Sequence, residues 1–310
     1  MLLNKIIKVA KDIKSIKIQG ATNIAKSAFN ILKEEISIQK FKDKSDFFQF
    51  FNKSINLLQS ARPTEPLLFN GMKYIFAEVQ KNKNQNLNIL QPKTLKVIDD
   101  FINLLHKANE SSLKNSKNII KNGDSILTHC HSSSVMKIFQ QAKKKGLKFQ
   151  VYNTETRPLF QGRLTSKDLL SFGIPTTMIV DLEASFLISH ESGKHLKIDK
   201  IIIGCDAIGM SGRFINKVGS FGIAMAAHYC KVPLYVSCNL LKVDVSDHIP
   251  VEKRGFKEIW KDAPNKLKIL NFAFDLIPAE FVTGGYITEF GIIKPKDIKK
   301  IVQKKYPRMK

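Results

Sequence analysis

The sequence predicts an α/β protein, an N-terminal helical domain over residues 1–121 followed by a parallel-sheet domain over residues 122–310. Three observations predict it. Through about residue 120 the apolar residues recur at helical spacing. From Ser125 onward short β-branched runs are each followed by a longer amphipathic one. Runs that are apolar throughout read as strands whose sheet is covered by helices on both faces. A chain of 310 residues is also long enough to bury two cores.

The opening MLLNKIIKVAKDIK interrupts its apolar residues with lysine every few positions, which reads as an amphipathic helix and lacks the continuous apolar stretch of a secretory signal. Four further stripes follow: Ile24, Ala28, Ile31 and Leu32; Phe48, Phe51, Ile55 and Leu58; Leu68, Met72, Ile75 and Val79; Leu95, Ile98, Ile102 and Leu105. The polar breaks FKDKSD, ARPTEP and KNKNQN separate them. In the second domain the order is SILTH then SSSVMKIFQQAKKKG, FQVYNT then a loop and TSKDLLSFG, TTMIV then DLEASFLISH, KIIIG then NKVGSFGIAMAAHYC, and PLYVS. Open α/β sheets hold their ligands at the carboxyl ends of the strands, so catalytic groups are expected there.

Fifty lysines and arginines against 27 aspartates and glutamates leave a formal charge of +23, a field that attracts anionic partners without choosing among sugar phosphates, nucleotides and nucleic acids. No RNA or DNA motif accompanies the charge, so no specific nucleic-acid partner is expected. The four cysteines, at 130, 205, 230 and 238, form no C-x-x-C pair. A disulfide framework and a zinc knuckle are therefore not indicated, and a reducing cytoplasm fits. No apolar run approaches the ~20 residues that span a bilayer, so no membrane partner is expected.

Several positions are suited to chemistry. Thr128-His129-Cys130-His131 lies where Ile126-Leu127 gives way to the helix opened by Ser132, Ser133 and Ser134. A thiol there faces unpaired amides and the positive end of the helix dipole, which lowers its pKa from ~8.5 toward neutrality and suits it to act as base, acid or nucleophile. A small buried hydrophobe is the plain alternative. A zinc site built from His129, Cys130 and His131 is disfavoured, because alternate strand residues point to opposite faces. Asp206, directly after the apolar run in KIIIGCDAIGMSG, is expected at the sheet's carboxyl edge, where desolvation raises a carboxyl pKa and makes a proton donor available; its alternative role is to cap the next turn. Asn216 and Lys217 are expected to open a helix before Gly219, an amide and an ammonium placed to clamp an oxyanion. Gly20 and Ala21 precede a helix and could offer backbone amides to an anion, and Arg62 stands before a helix entered through proline. Arg157, Gln161 and Arg163 share the loop after VYNT.

The motifs THCHSSS, TETRPLFQGRLTSKDL, GCDAIGMSGRFINKVGS and the tail NFAFDLIPAEFVTGGYITEFGII resemble a superfamily. It joins ribose-1,5-bisphosphate isomerase, methylthioribose-1-phosphate isomerase and the alpha, beta and delta subunits of translation initiation factor 2B. The resemblance covers nearly the whole chain and implies a helical N-terminal domain with a Rossmann-like C-terminal one. It implies Cys130 and Asp206 as an acid/base pair, which the initiation-factor subunits commonly lack. It also implies Gln161, Asn216 and Lys217 as substrate contacts, and Arg62 with the backbone of Gly20 and Ala21 as phosphate contacts. Many enzymes of the superfamily carry arginine before that Gly-Ala; this chain has Gln19, and its QGATNIA is similar to initiation-factor-like archaeal members.

The compact QGR and the H-S-S-S run after Cys130 resemble the ribose-1,5-bisphosphate enzymes more than the methylthioribose ones. The resemblance thus implies an aldose-to-ketose isomerase converting α-ribose 1,5-bisphosphate to ribulose 1,5-bisphosphate without metal or redox cofactor. It further implies a homo-oligomer, of the dimer or hexamer-of-dimers type, and a nucleotide effector. The alternatives are a non-catalytic initiation-factor-2B-like binding subunit and a methylthioribose-1-phosphate isomerase.

Overall fold

The computed structural model describes residues 3–189, 191, 193, 196–249 and 251–307. The chain divides into two compact units. One comprises Met1–Lys107 with Leu241–Val243 and Gln303–Lys310, the other Ala108–Leu240 with Asp244–Val302. The cut falls inside the long helix Leu87–Asn115, ahead of the polar stretch near residue 121 where the sequence suggests the boundary.

The first unit is built from α1 (Asn4–Lys14), α2 (Ala21–Ile38), α3 (Lys44–Ala61), α4 (Pro66–Gln80) and most of α5 (Leu87–Asn115). Local chemistry sets the starts: the Asp43 carboxylate accepts the Asp46 amide at 2.9 Å to cap α3, and Pro66 opens α4 where its missing N–H is not needed. α1 packs on α2 and α3, and α2 on α4. Gly71 allows the last of these contacts, since a Cβ there would lie 2.2 Å from the Phe29 ring. Two stripes are rotated from their expected positions. Phe48 is half-buried while Phe47, Phe50 and Phe51 fill the core; in α5 Leu95 and Ile102 are half-buried while Ile98, Phe101 and Leu105 are enclosed. DFFQFF offers two helical registers of nearly equal hydrophobicity, and packing selects one.

The second unit begins with β1 (Ser125–Thr128), α6 (Ser133–Lys144), β2 (Gln150–Thr154), α7 (Gly162–Ser171), β3 (Thr176–Ile179), α8 (Glu183–Ile188) and β4 (Lys200–Ile203). After β4 come β5 (Ala207–Gly209), β6 (Phe214–Lys217), α9 (Ser220–Tyr229), β7 (Leu234–Ser237), β8 (Val243–Asp244), β9 (Phe274–Ile277), β10 (Gly285–Thr288), β11 (Gly291–Ile293) and α10 (Ile298–Lys305). Among the described residues the main sheet runs β11-β10-β7-β4-β1-β2-β3, parallel except for β11. Ile126, Val151 and Ile202 from the sheet pack with Val135 and Phe139 of α6 and Leu169 of α7, all fully buried, and each such side chain contributes about 1.5–3 kcal/mol. The chain winds outward from β1 through β2 to β3, then returns to lay β4 on the other side of β1. The β1/β4 junction is therefore the point where the winding reverses and where such sheets open a crevice.

A second sheet, β8-β5-β6-β9, in which β6 runs antiparallel to β5 and β9, was not evident in the sequence. It corrects one expectation: Asn216 and Lys217 end strand β6, and α9 begins three residues after Lys217. All four residues of β6 are buried, so its side chains show none of the polar alternation that marks a strand. The end of the expected helix DLEASFLISH, His190, lies outside the described residues.

Candidate active site

The site is assembled at the reversal point. β1 and β4 pair in register, Ile126 with Lys200 and Leu127 with Ile201, so their carboxyl ends emerge side by side. From one end the chain continues into His129 and Cys130; from the other, through Gly204 and Cys205, into Asp206. Gly204 permits the approach, because a Cβ there would lie 2.6 Å from Ser132 Oγ. Asp206 is partly buried and its amide donates to the Ile215 carbonyl at 2.9 Å, which ties it to β6 beside Asn216 and Lys217.

Lys217 is buried, and its Nζ lies 4.7 Å over the ring of Phe274, its cross-strand neighbour on β9. Burial lowers the Lys217 pKa, Cys130 and Asp206 act to raise it, and Arg254 lowers it further. Burial also pushes the Cys130 thiol up to about 11, against the pull of Lys217, while Asp206 adds to the rise. The expected acidification of this thiol is thereby corrected. Cys130 stands two residues ahead of Ser132, the N-cap of α6, and desolvation outweighs the dipole and the nearby cations. Asn216 Nδ2 donates to Ser220 Oγ at 2.9 Å, which holds the amide at the start of α9.

The loop after β2 is fixed by close packing. Gln161 is the N-cap of α7, and Gly162 admits no side chain, because a Cβ would lie 1.8 Å from the Thr154 carbonyl oxygen. Asn153 Nδ2 donates to the Gly162 carbonyl at 3.0 Å and Ser166 Oγ donates to Asn153 Oδ1 at 2.9 Å, locking helix to strand. Arg157 and Arg163 flank Phe160, their guanidinium carbons 4.9 and 3.8 Å from the ring centroid, and Arg157 also donates to the Ile259 carbonyl at 3.1 Å. The cations that act on Cys130 are Lys217 and Arg254. In the first unit, Gly20 has φ of 80° directly before α2 and Arg62 is buried directly after α3.

Sequence reasoning missed Arg254, which has a side chain 6% exposed, bonds Glu252 Oε1 at 3.0 Å and lies 5.6 Å over Phe274. Its segment is brought in by a bridge between Lys253 and Phe272, which no local pattern announces. Asp275 was missed too; one carboxylate oxygen accepts the Gly219 and Phe221 amides at 2.8 and 2.9 Å, capping α9. Among the described residues no group of three or more His, Cys, Asp or Glu stands together as a metal site, and no helix is long and apolar enough to cross a membrane.

A two-unit protein with an acid and a thiol at the reversal point of a doubly wound sheet has close relatives. Residues 17–295 match the Initiation factor 2 subunit family, and the chain belongs to that family. A ribose 1,5-bisphosphate isomerase from Methanocaldococcus jannaschii is 35% identical over 300 residues, covering 94% of this chain and 92% of that protein. The crystal structure of 5-methylthioribose 1-phosphate isomerase from Pyrococcus horikoshii superposes with a TM-score of 0.80 at 26% identity, covering 96% of this chain and 86% of that one. A translation initiation factor eIF-2B structure, also from Pyrococcus horikoshii, gives 0.80 at 24% identity, covering 96% of this chain and 100% of that one, a likeness of fold. Within the family, this chain is an isomerase.

Proposed function

We propose that the chain converts α-ribose 1,5-bisphosphate to ribulose 1,5-bisphosphate, with Cys130 and Asp206 as its acid/base pair. The observation that carries this reading is the emergence of Cys130 and Asp206 from adjacent strand ends, with buried Lys217 acting on both. An aldose-to-ketose conversion moves protons between neighbouring carbons and oxygens, and a paired acid and base supply that chemistry.

The anomeric phosphate blocks spontaneous ring opening, so the ring oxygen must gain a proton as C2 loses one. A thiol held up to about 11 retains its proton at neutral pH and must surrender it before it can act as a base. Transfer of that proton from Cys130 Sγ to the Asp206 carboxylate arms both groups at once. Asp206 then protonates the ring oxygen as the C1–O bond breaks, and the Cys130 thiolate takes the C2 proton, leaving a C1=C2 enol that still carries its phosphate. Cys130 returns its proton to C1, Asp206 takes the C2 hydroxyl proton, and both residues are back in their armed forms. Lys217 and Asn216 steady the developing charge on the C2 oxygen. Gln161, Arg157 and Arg163 are further substrate contacts.

Incubation with ribose 1,5-bisphosphate and, separately, with methylthioribose 1-phosphate, following ketose formation, tests the reading; product from the second sugar alone would replace it. A homo-oligomer belongs to the same reading. Met225 and Tyr229 on α9, with Phe186 on the adjoining α8, form an exposed apolar face, and light scattering of the parent and of Tyr229→Lys tests its use.

A further inference from the structure

Cys130 is held by its backbone through a chain of hydrogen bonds whose direction can be worked out. His129 Nε2 lies 2.8 Å from the Val218 carbonyl oxygen, which can only accept, so this nitrogen carries a proton. The ring is fully enclosed, and burial lowers its pKa, so the imidazole is neutral and Nδ1 is an acceptor. Thr154 Oγ1, 2.6 Å from Nδ1, must then donate to it. Having spent its proton, that hydroxyl accepts from Thr156 Oγ1 at 3.1 Å, and Thr156 Oγ1 in turn accepts the Cys130 amide at 3.0 Å. With the ring neutral this order runs one way from the Cys130 amide to the imidazole, and the Thr154 carbonyl, 3.4 Å from Thr156 Oγ1, is a second and longer acceptor for that hydroxyl.

The chain joins parts of the site that are separate in sequence. Val218 directly follows Lys217, and a Cβ on Gly219 would lie 3.1 Å from the His129 ring, so the imidazole is seated against the segment that carries the ammonium. At its other end the chain grips a strained loop. Cys130 has φ of 67° and Thr156 φ of 61°, left-handed conformations that non-glycine residues adopt only when their surroundings impose them. Asp181 holds Thr156 in place, accepting its amide at 2.8 Å on one oxygen and the Arg157 amide at 2.7 Å on the other. Thr165 Oγ1 donates to the Cys130 carbonyl at 2.9 Å, so both polar groups of the Cys130 backbone are bound by threonine hydroxyls.

We propose that Thr156 and His129, through Thr154, are positioning residues that set the Cys130 thiol against Lys217 and the reacting carbons. The proposal rests on the isomerase reading for its kinetic consequence and on the hydrogen-bond chain for its geometry. Thr156→Val keeps the shape and the β-branching but removes the hydroxyl that receives the Cys130 amide. Thr156→Ser keeps the hydroxyl. With ribose 1,5-bisphosphate as substrate, Thr156→Val is expected to lower kcat about 10²-fold with KM within about two-fold, while Thr156→Ser stays within about three-fold of the parent. Parental kcat in a folded Thr156→Val, or an equal fall in both variants, overturns the proposal.

Labelling separates failure of the positioning role from failure of the substrate reading. The rate at which iodoacetamide labels Cys130, followed by peptide mass spectrometry, is expected to change about ten-fold in Thr156→Val and to stay parental in Thr156→Ser, whether or not the sugar turns over. Equal rates in all three proteins overturn the proposal. If Thr156→Val does not fold, Thr154→Val breaks the same chain one link farther on and is read by the same two measurements.

Discussion

Among the described residues the second unit buries two lysines, Lys200 and Lys217, and they are treated in opposite ways. Lys200, at the amino end of β4, bonds Asp124 Oδ2 at 2.6 Å and the Ile119 carbonyl at 2.9 Å, so its charge is neutralised where it stands. Lys217, at the carboxyl end of β6, has an aromatic ring 4.7 Å away in place of a bonded carboxylate, and burial lowers its pKa. A buried cation that is fully paired anchors structure; one left on a ring beside a thiol and an acid keeps its field for a ligand. The two lysines also belong to different sheets, Lys200 to the amino end of a strand in the parallel sheet and Lys217 to the smaller sheet that carries it beside Cys130 and Asp206.

The largest effect should come from the group that this field serves. Cys130→Ser is expected to fold normally and to lose about 10²- to 10⁴-fold in turnover, because a serine hydroxyl does not ionise near neutral pH. Steady-state kinetics beside a thermal melt checks both halves. Near-parental activity would make Cys130 a packing residue and would remove the reason for leaving Lys217 unpaired.

The two lysines themselves give the next test. Lys200→Met strands Asp124 in a buried site and should cost about 3–5 kcal/mol in urea denaturation, with kcat of the folded fraction unchanged. Lys217→Met removes a charge that burial disfavours, so stability should hold or rise while kcat falls about 10²-fold. If both variants lose stability alike and neither loses turnover, the contrast between the two lysines is only one of packing.

These roles were unevenly legible in the sequence. β1, β2 and β4 could be read because each is buried almost throughout around a short apolar stretch, Ile126-Leu127, Val151-Tyr152 and Ile201-Ile202-Ile203. Cys130 and Asp206 could then be placed, since residues after such runs sit at the carboxyl edge. Lys217 could be singled out but not located, because β6 pairs with β9, far along the chain, and is buried throughout. Thr154 and Thr156 gave no signal, threonine being ordinary in strands. The thiol's acidity was misjudged for a physical reason: the dipole of α6 can be read from sequence, whereas desolvation depends on what the fold encloses.

Alkaline pH separates Cys130 from Lys217 by sign. The folded chain holds the Cys130 proton to about 11, whereas an unfolded chain releases it near 9.0. Between those values the folded state binds more protons, and stability falls as pH rises. The Lys217 pKa is lowered from 10.5 on folding, so between the lowered value and 10.5 the unfolded chain binds more protons and stability rises with pH. Urea midpoints measured across the alkaline range should therefore fall less steeply above pH 9.0 in Cys130→Ser than in the parent, and Lys217→Met should lose the opposing rise. Parallel curves for all three proteins would contradict both assignments.

The smallest expected effect belongs to Arg254, which falls between the two lysines. Like Lys200 it is paired, with Glu252 at 3.0 Å and Glu258 at 4.0 Å; like Lys217 it lies over Phe274 and pulls the Cys130 thiol down. Two carboxylates beside it cancel much of its field at a distance, so its hold on Cys130 should be weaker than that of Lys217. The pH dependence of iodoacetamide labelling at Cys130 ranks them directly. Lys217→Met should move the midpoint further upward than Arg254→Gln does, because Lys217 acts on the thiol more strongly than Arg254, whose guanidinium is bonded to Glu252. A larger shift from Arg254→Gln would mean that pairing does not decide which buried cation acts on the thiol, and the distinction drawn between Lys200 and Lys217 would then have to rest on distance alone.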